Sequence, residues 1–314
     1  MNKVLIIVLN WNGKHDTLEC LASLSALNAS VLVVDNGSTD NSVAAIRERF
    51  PEISILETGK NLGYAGGNNA GISWALKKSF EWILIFNNDA AAAPDLIDRF
   101  LEAAEKEPSA KILGAKIYST KDQRIEHLGG FWDSASGEFF FPAVGEFDNG
   151  CHEKMEKVDM VCGCAFFMHR SVPETIGLFE EQFFLLWEES DFCARAKRAG
   201  FSIWTAPKAK VFHKGSASFT GGKPHLQYFW WRNRLLWIQR NCSKKEKRQL
   251  YFRLLMPEMF RCGKLALLKT LQLLFTSDRS RKQKARRYRA GCRGIFHYFL
   301  GRFGDCPAVY KRAK

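Results

Sequence analysis

No apolar run in these 314 residues approaches the ~20 needed to span a bilayer. The opening Val4-to-Leu9 run passes at once into Asn10-Trp11-Asn12-Gly13. It is too short for a signal-peptide core and reads as a first strand. The nine cysteines are odd in number and contain no CxxC pair, which fits a reducing cytoplasm better than a disulfide framework. Cys151-His152 with Cys162 and Cys164 is the nearest approach to a zinc set. Gly163 makes the last two Cys-x-Cys rather than C-x₂₋₄-C, so they read as small residues of a buried strand. No GxGxxG follows the first strand, which argues against a dinucleotide dehydrogenase, and no GxxxxGK[ST] argues for a P-loop. RRM, KH and zinc-finger patterns are missing too, so no nucleic acid is expected as a partner. There is no internal repeat and no long low-complexity linker.

Acidic residues are scarce in one part only. Residues 1–221 hold 22 Lys/Arg and 29 Asp/Glu, a net −7; residues 222–314 hold 24 and 4, a net +20. A basic C-terminal third on a mildly acidic body implies an anionic partner for that third alone.

What is present alternates strand and helix. Val4–Leu9, Val31–Val34, Ile53–Leu56 and Trp82–Phe86 read as strands. Between them lie helices over 15–27 (Leu18, Leu21, Ala22 and Leu24 inward), after Asp40 (Val43, Ile46, Phe50), and from the Gly59–Gly67 turn to about Ser79. Ser38, Thr39 and Asp40 are candidate caps, and Pro94-Asp95 opens a further helix. This predicts an α/β fold with a doubly wound, mostly parallel sheet. Residues 118–157 break the rhythm, with Phe131-Trp132 and Phe139–Pro142 suggesting a hairpin or a loop over the sheet. Val158–Met168 reads as a strand and 188–199 as a helix stopped by Gly200. Phe201–Thr205 and Lys210–His213 read as two short strands, and from Pro224 the chain is helical and basic. We expect one domain over 1–221, divided near 117/118, and a helical extension over 222–314.

Open α/β sheets place ligands at the carboxyl ends of their strands. Two acidic segments end buried strands there: Asp35-Asn36-Gly37-Ser38 and Asn87-Asn88-Asp89. A carboxylate at such an edge suits a divalent cation on nucleotide phosphates, or a ribose hydroxyl; turn chemistry is the alternative for both. Gly63–Asn69 opens a helix with three glycines, where backbone can approach a ligand. Glu188-Glu189-Ser190-Asp191 crowds three acids at a helix start. Crowding can raise one pKa toward the range of a general base, whereas a helix dipole and an Asp191–Arg195 pair would be purely structural. His213 ends a strand and could ligate a metal, touch phosphate or sit in the core. Tyr228–Arg234 mixes aromatics with arginines, offering either a guanidinium for phosphate or packing.

Together the segments resemble the inverting family 2 glycosyltransferases of the GT-A fold, especially their bacterial rhamnosyltransferase-like branch. The matching pieces are Val8–Gly13, Val34–Asp40, Asn61–Asn69, Asn87–Asp89, Gly163–Ala165, Glu188–Cys193, His213–Gly215 and Arg232-Asn233. They follow the family's order across roughly residues 1–240. The resemblance implies that Leu9, Asn10, Asn12 and Asp35 hold the nucleotide, with Asn68 and Asn69 near the nucleotide or donor sugar. Asn87-Asn88-Asp89 takes the place of the family's Asp-x-Asp, so Asp89 becomes the principal ligand of Mg²⁺ or Mn²⁺, helped by His213. Arg232 would meet the phosphates. Glu189 falls on the catalytic-base position, with Asp191 and Glu188 as alternatives. The implied partners are a nucleotide-diphosphate sugar and a lipid-linked or surface saccharide. The basic third would meet an anionic membrane surface, on the cytoplasmic face of an inner membrane. A sugar-phosphate nucleotidyltransferase, a non-catalytic sugar-nucleotide binder and a nucleic-acid binder are the competing readings.

Overall fold

The computed structural model describes residues 3–214, 223–275 and 278–310. The expected 221/222 boundary and Gly215 lie outside them. The first part runs β1 (Val4–Asn10), α1 (Lys14–Leu24), β2 (Ser30–Asp35), α2 (Ser42–Arg49), β3 (Ser54–Glu57), α3 (Gly63–Leu76) and β4 (Trp82–Asn87). Next come β5 (Ala90–Ala92), α4 (Leu96–Lys106), β6 (Ala110–Ser119), β7 (Ile125–His127), β8 (Phe131–Asp133), β9 (Glu138–Phe140) and β10 (Ala165–His169). They are followed by α5 (Ser171–Ile176), α6 (Glu188–Arg198) and β11 (Ser202–His213). The basic third is α7 (Pro224–Asn241), α8 (Lys244–Leu250), α9 (Met256–Leu271) and α10 (Arg279–Phe299).

The main sheet has the order β3-β2-β1-β4-β10-β6-β11-β5, with β7 on β6, and β8–β9 is a separate hairpin. Strands β3, β2, β1 and β4 are parallel, but β10 runs antiparallel to both its neighbours. The sheet is mixed: the parallel run β3-β2-β1-β4 joins a half in which β11 is parallel to β6 while β10 and β5 run antiparallel to their neighbours. The chain leaves β6 for a long excursion without a helix and returns beside β6 itself, which an antiparallel strand can do without a helical crossover. Side chains alternate across the sheet: Val4, Ile6 and Val8 belong to one core layer, Leu5 and Ile7 to the other. A third apolar cluster joins Phe183 and Trp187 to α7, Leu250 and Leu255.

Three local expectations change. In α1 the inward residues are Thr17, Cys20, Leu21 and Leu24, while Ala22 is exposed. The run Val158–Met168 is strand only from Ala165, because the chain turns at Cys162-Gly163-Cys164. A Cβ on Gly163 would lie 2.4 Å from the Tyr64 hydroxyl, so the turn is built around that ring. Phe201–Thr205 and Lys210–His213 are one strand, β11, interrupted in register between Ala206 and Lys210. Pro207 sits in that gap, where its missing N–H costs no ladder bond.

Candidate active site

The ends of β1 and β2 are stitched together. Asn10 Nδ2 donates to Asp35 Oδ1 at 2.8 Å, and Ser38 N–H donates to Asp35 Oδ2 at 2.9 Å. Asn10 Oδ1 accepts from the Thr17 hydroxyl at 2.8 Å. Asn10 and Asp35 are both buried, whereas Asn12 is exposed and holds the β2 turn by accepting from Thr39 N–H at 2.7 Å. Leu9 is half-buried against α3: a Cβ on Gly67 would meet its Cδ1 at 2.4 Å. Of the three glycines expected to let backbone approach a ligand, Gly67 lets α3 lie close on the sheet, while Gly63 faces Phe184 and Gly66 faces Leu62.

The two asparagines on α3 are also turned inward. Asn69 donates to Phe179 O at 2.9 Å and to Glu181 Oε1 at 3.0 Å, and accepts from Phe179 N–H. Its amide is fully committed to the 179–181 segment, so it is not a donor-sugar contact. Asn68 donates to Tyr64 O, while its Oδ1 is buried without a partner among the described residues.

At the end of β4, Asn87 and Asn88 are half-buried, and Asn88 donates to the Thr17 hydroxyl at 2.9 Å. Asp89 Oδ1 lies 3.0 Å from His213 Nε2, brought there by the antiparallel pairing of β5 with the end of β11. Behind the ring, His213 Nδ1 lies 3.0 Å from Glu126. Burial alone would depress this imidazole, but hydrogen bonds to Asp89 and Glu126 outweigh it and bring His213 up to about 9. The donor set fits a hard divalent cation. Glu126 can hold the Nδ1 proton and so leave Nε2 to a metal facing Asp89, the usual carboxylate–imidazole–metal relay. One carboxylate and one imidazole leave the other positions to water and diphosphate oxygens, as Mg²⁺ sites prefer. His15, Asp16 and Glu19 also approach metal-like spacing, but Lys214 sits on Asp16 at 2.7 Å and also on Glu19.

The second acidic station is the start of α6. Glu188 is buried and Glu189 half-buried, and the Oε2 of each has no partner among the described residues. Burial, then the neighbouring Glu189 carboxylate, push Glu188 well above the ordinary carboxyl range. Burial also raises Glu189, against hydrogen bonds that include the Gly163 N–H and the Glu188 carboxyl. Asp191 is different. It is fully buried and paired at 2.9 Å with Arg195, Arg240 and Asn241. With both oxygens held by cations and an amide, it pins α6 to α7 and cannot serve as the base. The two stations meet at the 162–164 turn: Asn87 N–H donates to Cys164 O at 3.0 Å, and the Cys162 thiol is pushed up to about 12 by burial, then by Glu189, with Glu126 and Asp89 adding to it.

Arg232 also departs from expectation. Its side chain is completely buried, and its guanidinium donates to the Gln182, Phe183 and Gly304 carbonyls and to Asn233 Oδ1. It is not available to phosphate. Glu126, by contrast, was not foreseen. It lies in the aperiodic 118–157 stretch, and only the β6–β7 pairing brings it to His213.

Residues 5–177 match glycosyl transferase family 2. The chain belongs to that family.

This glycosyltransferase is 30% identical over 261 residues to the Mycobacterium tuberculosis N-acetylglucosaminyl-diphospho-decaprenol L-rhamnosyltransferase, covering 70% of this chain and 83% of the relative. It is 22% identical over 257 residues to the Shigella flexneri dTDP-rhamnosyl transferase RfbF, covering 76% and 81%. Its fold is that of the Pyrobaculum calidifontis mannosyltransferase PcManGT, solved with GDP-Man and Mn²⁺: TM-score 0.58 at 13% identity, over 95% of this chain and 87% of that one. The rhamnosyltransferase-like GT-A reading thus holds, and the protein is a nucleotide-sugar glycosyltransferase.

Proposed function

We propose that the enzyme moves a hexosyl or deoxyhexosyl group, with inversion, from a nucleotide-diphosphate sugar to a lipid-linked saccharide. The observation that carries this is Glu189: a half-buried carboxyl with raised proton affinity, one unpartnered oxygen, and Asp89 and His213 in the same neighbourhood. The acceptor hydroxyl gives its proton to Glu189 as its oxygen bonds to the anomeric carbon. The bond from that carbon to the diphosphate oxygen breaks on the opposite face, and the electron pair leaves with the diphosphate. Asp89 and His213 would hold Mg²⁺ or Mn²⁺, which supplies charge neutralisation at the diphosphate when bound. Asn10, Asn12, Asp35 and Leu9 form the wall against which the nucleotide would lie, beside Asn87 and Asn88. The names of the relatives suggest the first pair to assay: dTDP-rhamnose and N-acetylglucosaminyl-diphospho-decaprenol. UDP- and GDP-sugars complete the donor panel. Product with the anomeric configuration opposite to the donor's, read by NMR, is expected. Retained configuration overturns the mechanism.

The basic third we assign to an anionic membrane surface on the cytoplasmic side, keeping 222–314 as an extension of the catalytic body. No described helix is long and apolar enough to cross a bilayer. Leucines recur along this third and are partly exposed: Leu265 is half-buried, Leu267, Leu268 and Leu271 face outward, and the side chains of Leu274 and Phe275 lie outside the described residues. Phe252, Met256 and Phe260 continue the series N-terminally, and Phe260 is 78% exposed. Lys244, Lys245, Arg248, Arg253, Arg261 and Lys264 are exposed on the same run of chain. Apolar insertion plus about 1 kcal/mol for each nearby cation gives salt-sensitive binding to acidic lipid. Flotation with phosphatidylserine vesicles but not phosphatidylcholine vesicles is expected, and equal recovery with both removes the assignment.

A further inference from the structure

Three residues just before the acidic station hold left-handed backbone without being glycine: Phe184 at φ 62°, Leu186 at φ 71° and Trp187 at φ 77°. Bulky residues adopt this region only when their surroundings impose it. Two groups of contacts do so here. From one side, the N-terminus of α3 donates Tyr64 N–H to Phe184 O at 2.7 Å. Gly63 admits this approach, since a Cβ there would lie 2.4 Å from that oxygen. From the other side come Arg232 and Asn233 of α7. Asn233 Nδ2 is 2.8 Å from Phe183 O, 2.7 Å from Leu185 O and 2.8 Å from Leu186 O. Arg232 donates to Gln182 O at 3.1 Å and Phe183 O at 2.8 Å, and its Nε donates to Asn233 Oδ1 at 2.9 Å. The guanidinium is itself held by the Phe229 ring, 5.0 Å from its centroid, and by Gly304 O.

The turn leads directly into Glu188 and Glu189. Tyr64, whose amide grips the turn, also donates its hydroxyl to Gly163 O at 2.7 Å. Contacts therefore run from the turn through α3 to Gly163, while the backbone itself carries the turn into Glu189. We propose that Arg232 and Asn233 are positioning residues for the transfer reaction: by gathering the carbonyls of 182–186 they fix the left-handed turn that aims Glu189. Neither side chain touches the reacting atoms. This rests on Glu189 being the base.

Asn233→Asp keeps the oxygen that Arg232 uses and removes the amide donor to all three carbonyls. Folded by circular dichroism, this variant is expected to bind UDP, GDP or dTDP with Mn²⁺ as the unmodified protein does. Its kcat for nucleoside-diphosphate release should fall tenfold or more, with the acceptor and donor KM little changed. The acidic limb of its kcat profile should also move to lower pH, because a loosened turn admits water to Glu189. The groups facing Glu189 in this test are Glu188, the Tyr64 hydroxyl and the Cys162 and Cys193 thiols. A merely structural role would lower Tm and leave kcat and the limb in place, and that result overturns the proposal. If Asn233→Asp does not fold, Arg232→Lys makes the same test, with unchanged kcat and limb again overturning it. Glu189→Gln is run beside them. Full turnover in Glu189→Gln defeats the base assignment; a dead Glu189→Gln with a normal Asn233→Asp defeats the positioning role alone.

Discussion

Asp89 and Glu189 are carboxylates in one neighbourhood, yet their surroundings suit them to different work. Asp89 follows a strand, is partly open to solvent, and faces an imidazole that a second carboxylate, Glu126, holds from behind. Glu189 begins a helix and faces another carboxyl, in a setting that raises its proton affinity. An acid facing an imidazole whose far nitrogen is held by a carboxylate is placed to share a metal ion with that ring. An acid buried away from water holds a proton more readily than an exposed one. Environment, more than residue type, divides the labour.

The comparison breaks first at its two principal residues. Asp89→Ala should abolish transfer, a loss of at least about 10³-fold, while the fold survives because the residue lies beyond β4. Full activity in this variant, or undiminished turnover in EDTA, would remove the metal role. Glu189→Gln retains shape and should lower kcat by roughly 10²–10⁴-fold. Titration with a nucleoside diphosphate should give nearly the Kd of the unmodified protein; a large loss of affinity would place Glu189 in the donor site instead.

Smaller effects sharpen the contrast. Glu126→Gln should weaken Mn²⁺ binding by about 10–100-fold, as measured by calorimetry with a nucleotide present, because the imidazole loses its orienting partner. No change would make Glu126 a bystander. Glu188→Gln should alter the pH dependence of stability. The folded-state pKa of Glu188 lies above its unfolded value, so the unmodified protein loses stability as pH rises from about 4.5 through that raised value. The variant escapes that loss, at ~1.4 kcal/mol for each unit of the shift. Its Tm advantage should therefore grow between pH 4 and pH 8, and a constant difference would contradict a buried, proton-holding Glu188.

Much of this arrangement was legible in the sequence, for identifiable reasons. The strands of the first half are apolar runs with polar ends, so Asp35 and Asn87–Asp89 announced themselves as edge residues. The helix of 188–198 was marked by its acidic start and by Gly200. The antiparallel insertion of β10 was not legible, because strand direction depends on where the chain returns and not on its composition. Arg232 and Asp191 stayed open between two readings for a related reason: a charged side chain gives no sign in sequence of whether its partners are a ligand or buried carbonyls and cations. Asn69 was hidden in the same way. The exposed Phe252 and Phe260 sit where a π-turn, Tyr251–Leu255, precedes Pro257. That turn shifts the helical phase away from the simple spacing used to trace a stripe.

Helix α3 carries four glycines and two asparagines in its fourteen residues. Such a sequence has little helicity of its own, since each glycine costs about 1 kcal/mol relative to alanine. It becomes a helix because the sheet is there to receive it, with Gly67 against Leu9 and Gly71 against Ile7. In the finished protein its amides should exchange with solvent as the sheet does. The Tyr64 amide that clasps Phe184 belongs to this helix, so the order around Glu189 depends on the sheet beneath it.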